Sequence, residues 1–484
     1  MRRARKGPSA RYDVRWHPAL PVPGADGSTL LADHYAPVTD DACPTVLVRA
    51  PYLRSGFPWN YLYGVLVAEQ GFHVILQSCR GTGGSTGEFH TWRNEPADGQ
   101  AAVAWLREQD WFTGELYTMG GSYMAYAQWA LGVDPPPEWR AAIMQIGFSD
   151  GRRFFWPGGA FALERSLVGG LSLFGQALGT RHLVWAILRL RRHLARVISG
   201  VPLLDVYPAV YGGRRPAFEE WLAHPEESYW ADGDLMPVAD KLAVPVSLCT
   251  GWWDLAPEQV IEQYDRLRTA GHDPDLLIGP WTHTSSLEQG WVEVFGQALR
   301  RLRDPAAAGR VRVFVGGIGE WRDLPSWPPA GREERWFLGE GTLRPSSGQG
   351  RTSFRYEPSD PTPALGGPLQ SKTQGQRDNA ALEARADVLT FTGEPLPEDV
   401  EVMGPVWAEF DAATTAASGD LFARLCDVDP RGVSLNVCDG LTRSAGAAGS
   451  GRIVVEMGPA GHRFRAGHRI RLQVSGGAHP PLPA

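Results

Sequence analysis

The feature that most constrains this chain is a series of short, nearly continuous apolar runs spaced by helix-length segments. Thr45-Val46-Leu47-Val48, His73-Val74-Ile75-Leu76-Gln77, Leu116 to Met119 and Ala141-Ala142-Ile143-Met144-Gln145-Ile146 are too short for buried helices. They are also too uniformly apolar for strands with one wet face. Between them, Tyr61 to Glu69 and Asp98 to Gln109 carry helical spacing, the second with Ala101, Ala102, Trp105 and Leu106 on one side. Strands covered on both faces and linked by helices mean a parallel sheet between helical layers, an α/β fold. The series pauses, then resumes with Val244 to Cys249 and Leu276-Leu277-Ile278, joined by a helix from Glu258 to Thr269.

A chain of 484 residues is too long for one hydrophobic core. The pause falls in a stretch rich in Leu, Arg, Trp and Gly with few β-branched runs, such as Trp185 to Arg192, and predicts an inserted helical cap. Beyond about residue 310, short strands alternate with Gly, Pro and Asp turns: Val311 to Val315, Val388 to Phe391, Leu421 to Cys426, Val433 to Val437, Ile453 to Val455 and Ile470 to Val474. No convincing helix interrupts them, so this part reads as a β-sandwich of jelly-roll type. The expected division is a first α/β segment over 1–150, a cap over 151–240, a second α/β segment over 241–300 and the sandwich over 301–484.

Composition removes several function classes. A net charge of −7 spread over this length argues against a nucleic-acid or anionic-membrane partner, and the isolated Arg189 to Arg192 run reads as a solvated face. The basic start, Met1 to Lys6, is followed by no apolar run, so a secretory signal is not expected, and no run is long enough to span a membrane. Cys43, Cys79, Cys249, Cys426 and Cys438 are odd in number and far apart, which suits buried free thiols in a reducing cytoplasm. No metal-ligand spacing occurs, and the glycine-rich loop from Arg80 to Gly87 lacks the Gly-Lys-Ser/Thr of a phosphate cradle. Neither a metal nor another cofactor is expected. Oligomeric state stays open, a homodimer included.

Chemistry enters at the third strand. Leu116 to Met119 runs into Gly120-Gly121-Ser122, and Tyr123 to Leu131 then continues as an apolar helix ending at Gly132. A strand turning sharply into a helix through small residues puts a serine on a strained apex, with the helix N-terminus beneath it. A nucleophilic serine needs a base, and the base an orienting carboxylate. In doubly wound hydrolases these follow later strands, carboxylate before histidine. Asp254 ends Cys249-Thr250-Gly251-Trp252-Trp253-Asp254 after one strand, and His283 ends Gly279-Pro280-Trp281-Thr282-His283 after the next. The long interval before Asp254 leaves room for the cap, and the short one before His283 for a single crossover helix. None of the other histidines follows a sheet strand so suitably. The backbone N–H of Tyr123, next after the nucleophile, would donate to an oxyanion.

From about Leu30 to His479 the chain resembles the cocaine esterase and X-prolyl dipeptidyl peptidase-like serine hydrolases, the CocE/NonD family. The matching segments are Arg49-Ala50-Pro51-Tyr52, Arg80-Gly81-Thr82-Gly83-Gly84-Ser85-Thr86-Gly87-Glu88-Phe89, Gly120 to Tyr123, Gly251 to Asp254 and Gly279 to His283. Gly316-Gly317-Ile318-Gly319-Glu320-Trp321-Arg322 and Ala466-Gly467-His468-Arg469-Ile470-Arg471 match as well. The resemblance implies an α/β-hydrolase with a helical cap and a C-terminal jelly roll, with Ser122, Asp254 and His283 on the family's triad positions. It also implies that the Tyr52 hydroxyl is the second oxyanion donor. The chain departs from the family pattern at Ala125 and Tyr117, each where glycine is usual, and in ending soon after His479, which predicts a shortened sandwich.

The function expected is hydrolysis of a carboxylic ester, or of a short peptide, through an acyl-enzyme on Ser122. Trp252, Trp253 and Tyr123, with the cap aromatics Phe154, Phe155 and Trp156, are expected to line an apolar acyl pocket. Release of X-Pro dipeptides, or hydrolysis of α-amino acid esters and β-lactam acyl groups, would need carboxylates to hold a substrate ammonium, and no such cluster is visible. A carbohydrate-binding protein built on the sandwich is disfavoured by the intact Ser122, Asp254 and His283.

Overall fold

The structure, a computed structural model, describes residues 8–171, 173, 180–198, 200, 202–346, 350–445 and 450–479. Its centre is a ten-stranded sheet made of β1 (Val14–Pro23), β2 (Thr29–Pro37), β3 (Thr45–Ala50), β4 (His73–Ser78), β5 (Leu116–Gly121), β6 (Trp139–Gln145), β7 (Val246–Trp253), β8 (Asp275–Thr282), β9 (Val311–Val315) and β10 (Glu320–Leu324). The spatial order is β1-β2-β4-β3-β5-β6-β7-β8-β9-β10. From β4 to β9 neighbouring strands are parallel, with Met119 opposite Ile143, Met144 opposite Leu248 and Leu248 opposite Leu276. Every residue of β3 and of β5 is buried, as continuous apolar runs require. At about 1.5–3 kcal/mol per fully buried aliphatic side chain, these central strands are where the stability concentrates.

Two strand assignments change. The hairpin of β1 and β2 adds antiparallel strands at one edge ahead of the expected start. At the other edge, Val311–Val315 does not open the sandwich: it is β9, parallel to β8, with Leu276 opposite Val311, and β10 folds back on it.

Helices α1 (Glu95–Arg107) and α2 (Tyr123–Leu131) link the early strands. All nine residues of α2 are buried, so it is apolar on every side and lies inside the molecule. Between β6 and β7 the chain leaves the sheet to build the cap from a helical turn at Gly151–Phe155 and helices α3 (Leu163–Gly170), α4 (Thr180–Ile198) and α5 (Pro216–Ala223). Trp185 to Arg192 falls in α4, where Trp185, Arg189 and Arg192 are exposed. The chain then returns through β7, α6 (Pro257–Thr269), β8 and α7 (Trp291–Arg303). The C-terminal part packs a four-stranded antiparallel sheet against a long two-stranded ribbon around Phe391, Leu425, Phe464 and Leu472. The ribbon's first strand, Val400–Ala413, carries no apolar run that marks it in the sequence. The architecture is an α/β-hydrolase with an appended antiparallel β-domain. Residues 480–484, where the shortened end was expected, lie outside the described residues. Among the described residues, no helix is long and apolar enough to cross a membrane, and all five cysteines are buried free thiols.

Candidate active site

Ser122 sits between β5 and α2 at φ 59°, ψ −127°, a conformation a β-carbon makes costly and which the surroundings must impose. Its N–H donates to the Gln145 carbonyl (2.9 Å) and its carbonyl accepts from Ala125 N–H (2.9 Å), which pins the apex to β6 and to the first turn of α2. Gly120 is required: a Cβ there would come within 2.4 Å of Met124 Cβ. The Ala125 methyl fits because it faces Gly147, where a Cβ would lie 2.5 Å from it. Tyr117 turns away from the elbow and meets the edge of Phe72 (5.9 Å between ring centroids).

The structure brings Ser122, His283 and Asp254 together. The Ser122 hydroxyl stands 3.0 Å from His283 Nε2, and His283 Nδ1 stands 2.6 Å from Asp254 Oδ1. Asp254 is buried, and its oxygens also accept from Leu255 N–H (2.7 Å) and the Thr250 hydroxyl (2.9 Å). A carboxylate so held is an acceptor at Nδ1, which fixes the proton there and leaves Nε2 free to take one from the serine. The His283 carbonyl accepts from the Ser286 hydroxyl (2.8 Å), tying the loop after β8.

Tyr52, just beyond β3, donates its hydroxyl to Ser122 Oγ at 3.3 Å. Burial raises the pKa of this phenol, opposed by its hydrogen bond to Ser122 and by one from the backbone N–H of Tyr123. It therefore stays a neutral donor, and the two groups expected to hold an oxyanion converge at one point beside the serine. Its ring stacks on Trp59 (5.1 Å).

Beneath this point lies a buried charged cluster that a single sequence does not announce. The first turn of α1 carries Glu95 and Asp98, both buried. Glu95 pairs with Arg49 at the end of β3 (Nη2 to Oε2, 3.0 Å) and accepts the Tyr123 hydroxyl (3.1 Å). Asp98 receives Arg80 through Nη2 (2.6 Å) and Nε (3.1 Å), and Arg80 also contacts Asp26. The Arg80 to Gly87 loop is thus held by ion pairing. The available signal was an arginine inside an apolar strand, which must find a carboxylate.

The aromatic residues divide. Phe154 stacks on Phe148 (4.3 Å), Phe155 on Trp221 (4.4 Å), and Trp156 packs on Phe161 (5.1 Å) with its indole N–H on the Trp221 carbonyl (2.8 Å). All three are buried, in an aromatic cluster that the cap shares with Phe148 and Trp92. Trp252 is a correction: its indole N–H donates to the Phe314 carbonyl (2.7 Å) in β9, and its ring meets Trp327 (5.5 Å) and Gly461. It seals the seam with the β-domain and is no pocket wall, because alternation along β7 sends Trp252 and Trp253 to opposite faces. Trp253 is half-buried, and its indole nitrogen has no hydrogen-bond partner among the described residues.

Two further charged groups, Arg165 and Glu258, stand near Asp254. Burial lowers the pKa of Arg165 from α3, with Glu258 and then Asp254 the largest opposing charges. Burial raises that of Glu258 at the start of α6, with Arg165 the largest opposing charge. Both keep part of their surface open. Arg165 Nη1 donates to the Phe154 carbonyl (2.8 Å), whereas Nε is buried without a partner among the described residues. No group of three or more His, Cys, Asp or Glu among the described residues stands where it could hold a metal ion.

Comparison with known proteins agrees with this arrangement. Residues 26–285 match the model of the X-Pro dipeptidyl-peptidase (S15 family), and residues 306–482 match that of the X-Pro dipeptidyl-peptidase C-terminal non-catalytic domain. The chain belongs to the S15 family. Cocaine esterase of Rhodococcus sp. (strain MB1 Bresler) is 29% identical over 95% of this chain and 90% of its own length. A putative serine esterase of Mycobacterium bovis is 23% identical over 96% of this chain and 91% of its own. Among solved structures, an α-amino acid ester hydrolase superposes with a TM-score of 0.79 at 19% identity, covering 98% of this chain and 91% of that one. A CocE/NonD family hydrolase from Staphylococcus aureus gives a TM-score of 0.68 at 16% identity over 96% and 86%. Membership makes this S15 chain a serine hydrolase.

Proposed function

We propose that the chain hydrolyses carboxylic esters by two-step acyl transfer on Ser122. The observation that carries the reading is the continuous relay from Ser122 Oγ through His283 to buried Asp254, with the Tyr52 hydroxyl beside the serine. His283 Nε2 takes the serine proton as Oγ attacks the ester carbonyl, and Asp254 stabilises the imidazolium that forms. The oxyanion is received by the Tyr52 O–H and the Tyr123 N–H, two neutral donors in a desolvated place where they act strongly. His283 returns its proton to the departing alcohol, and water activated by the same ring releases the acid.

An ester is favoured over an X-Pro dipeptide by the relatives that are named as esterases. The test pairs p-nitrophenyl butyrate with glycyl-prolyl-p-nitroanilide, each with and without a serine-reactive fluorophosphonate. Fluorophosphonate-sensitive turnover of the ester alone is the expected result. Turnover of the prolyl anilide would overturn the substrate assignment and call for a carboxylate that holds the amine. An unlabelled Ser122 and silence on both substrates would overturn the mechanism.

A further inference from the structure

We propose that Glu95 is a positioning residue that sets both donors of the oxyanion hole. The inference rests on the acyl-transfer reading above. Glu95 is 2% exposed and opens α1. Its Oε1 accepts the Tyr123 hydroxyl (3.1 Å), and that hydroxyl in turn accepts the Trp92 N–H (3.1 Å), so the phenol is fixed from two sides. Tyr123 is the first residue of α2, and its backbone N–H is one of the two donors; fixing the ring fixes the turn that aims the N–H. The other oxygen, Oε2, faces Arg49 Nη2 (3.0 Å) and receives the Cys79 thiol (3.6 Å).

Arg49 extends the hold to the second donor. Its Nη1 donates to the Glu95 carbonyl (2.7 Å) and its Nε to Gln77 Oε1 (2.9 Å), which locks the end of β3. Tyr52 follows three residues later, and the Cys79 N–H on the Ala50 carbonyl (2.9 Å) holds the intervening backbone. One carboxylate therefore reaches the residue after the nucleophile and the strand end that launches Tyr52, two segments far apart in the chain. A buried ion pair is a poor way to gain stability, since apolar side chains of similar volume commonly do as well. A single acceptor spanning both donor carriers is something apolar packing does not supply.

The decisive variant is Tyr123→Phe, which removes the hydroxyl but keeps the Glu95–Arg49 pair and the backbone N–H. Its companion is Glu95→Gln. For a donor displaced rather than deleted, Tyr123→Phe lowers kcat on p-nitrophenyl butyrate about tenfold. KM stays within about twofold, because the ground state makes little use of the hole. Affinity for butylboronic acid, which forms a tetrahedral adduct on serine, falls by a factor similar to that in kcat. Combined with Tyr52→Phe, the loss in kcat is clearly smaller than the product of the two single losses, since both act on one oxyanion. A folded Tyr123→Phe protein with unchanged kcat and boronate affinity overturns the proposal, and so do losses that multiply. Should Glu95→Gln fail to fold through the stranded Arg49 charge, Tyr123→Phe decides alone. If the unaltered protein does not label with fluorophosphonate, the acyl-transfer reading falls and this proposal with it. If it labels and Tyr123→Phe behaves as the unaltered protein, this proposal alone is overturned.

Discussion

Replacing Tyr52 by Phe removes one hydroxyl from the site and little else. The ring keeps its stack on Trp59, with centroids 5.1 Å apart, and the burial that holds it. In the resting protein the hydroxyl makes a long bond to Ser122 Oγ, 3.3 Å, so little ground-state interaction is lost and KM should move by less than about threefold. In the transition state the loss is larger. The oxyanion then keeps one donor, the Tyr123 N–H, and deleting one of two donors from such a hole costs about 10²–10³ in kcat, or about 2.7–4 kcal/mol. Burial keeps the Tyr52 phenol neutral, so its contribution does not fade across the pH range in which the imidazole works. Steady-state kinetics on p-nitrophenyl butyrate, with melting temperature as the control on folding, measure the effect. A folded Tyr52→Phe protein whose kcat stays within about threefold of the unaltered protein would refute the assignment of this hydroxyl.

Asp254→Asn should lower kcat by about 10³–10⁴ with little change in KM, because the amide no longer enforces the tautomer of His283 that leaves Nε2 able to accept a proton. Trp252→Ala should cost about 3–5 kcal/mol of stability with KM unchanged, read by denaturant unfolding beside ester kinetics; a raised KM with normal stability would return Trp252 to the pocket. His34, stacked on Trp111 (4.3 Å) with its Nε2 3.0 Å from His73 Nδ1, is held down to about 3 by burial and then by the charges of His73 and His17. Its folded pKa lies below the unfolded value of about 6.5, so the stabilisation is present above pH 6.5 and lost as pH falls toward 3. At pH 4.5 the loss is up to about 2.7 kcal/mol. Between pH 7.5 and 4.5, urea midpoints of the unaltered protein should therefore fall further than those of His34→Leu, and equal falls would remove His34 from the account.

The parts of the fold legible in the sequence are those where burial on both faces leaves no choice of residue. β3, β4, β5 and β6 announce themselves as apolar runs, and the Gly120-Gly121-Ser122 turn follows from the space a sharp elbow lacks. β1 is hidden because it is an edge strand with most of its side chains in solvent and three prolines in ten residues. The Val400–Ala413 strand is hidden because Gly404 and Pro405 interrupt it and a bulge falls at Val406 and Trp407. Val311–Val315 was legible as a strand but not as β9, since nothing in a strand's own residues says which sheet it joins. In the site, Ser122, Asp254 and His283 stand out because each follows a recognisable strand. Glu95 does not, because the partners of a buried carboxylate are set by chain segments that meet only in three dimensions.

Trp252 precedes Asp254 by two residues and is fastened to Phe314 and Gly461 rather than to anything near the substrate. The strand end that carries the orienting carboxylate is thus held from its own sheet through Phe314 and from a neighbouring domain through Gly461. This makes the appended sandwich a structural creditor of the reaction, although none of the groups assigned to the chemistry lies on it. A chain cut back to its α/β part would keep the serine, the base, both oxyanion donors and the Phe314 hydrogen bond, yet bare the face of Trp252 that Gly461 covers. A side chain at Gly461 would push on Trp252, and through it on the strand end that carries Asp254, from a domain that holds none of the reacting groups.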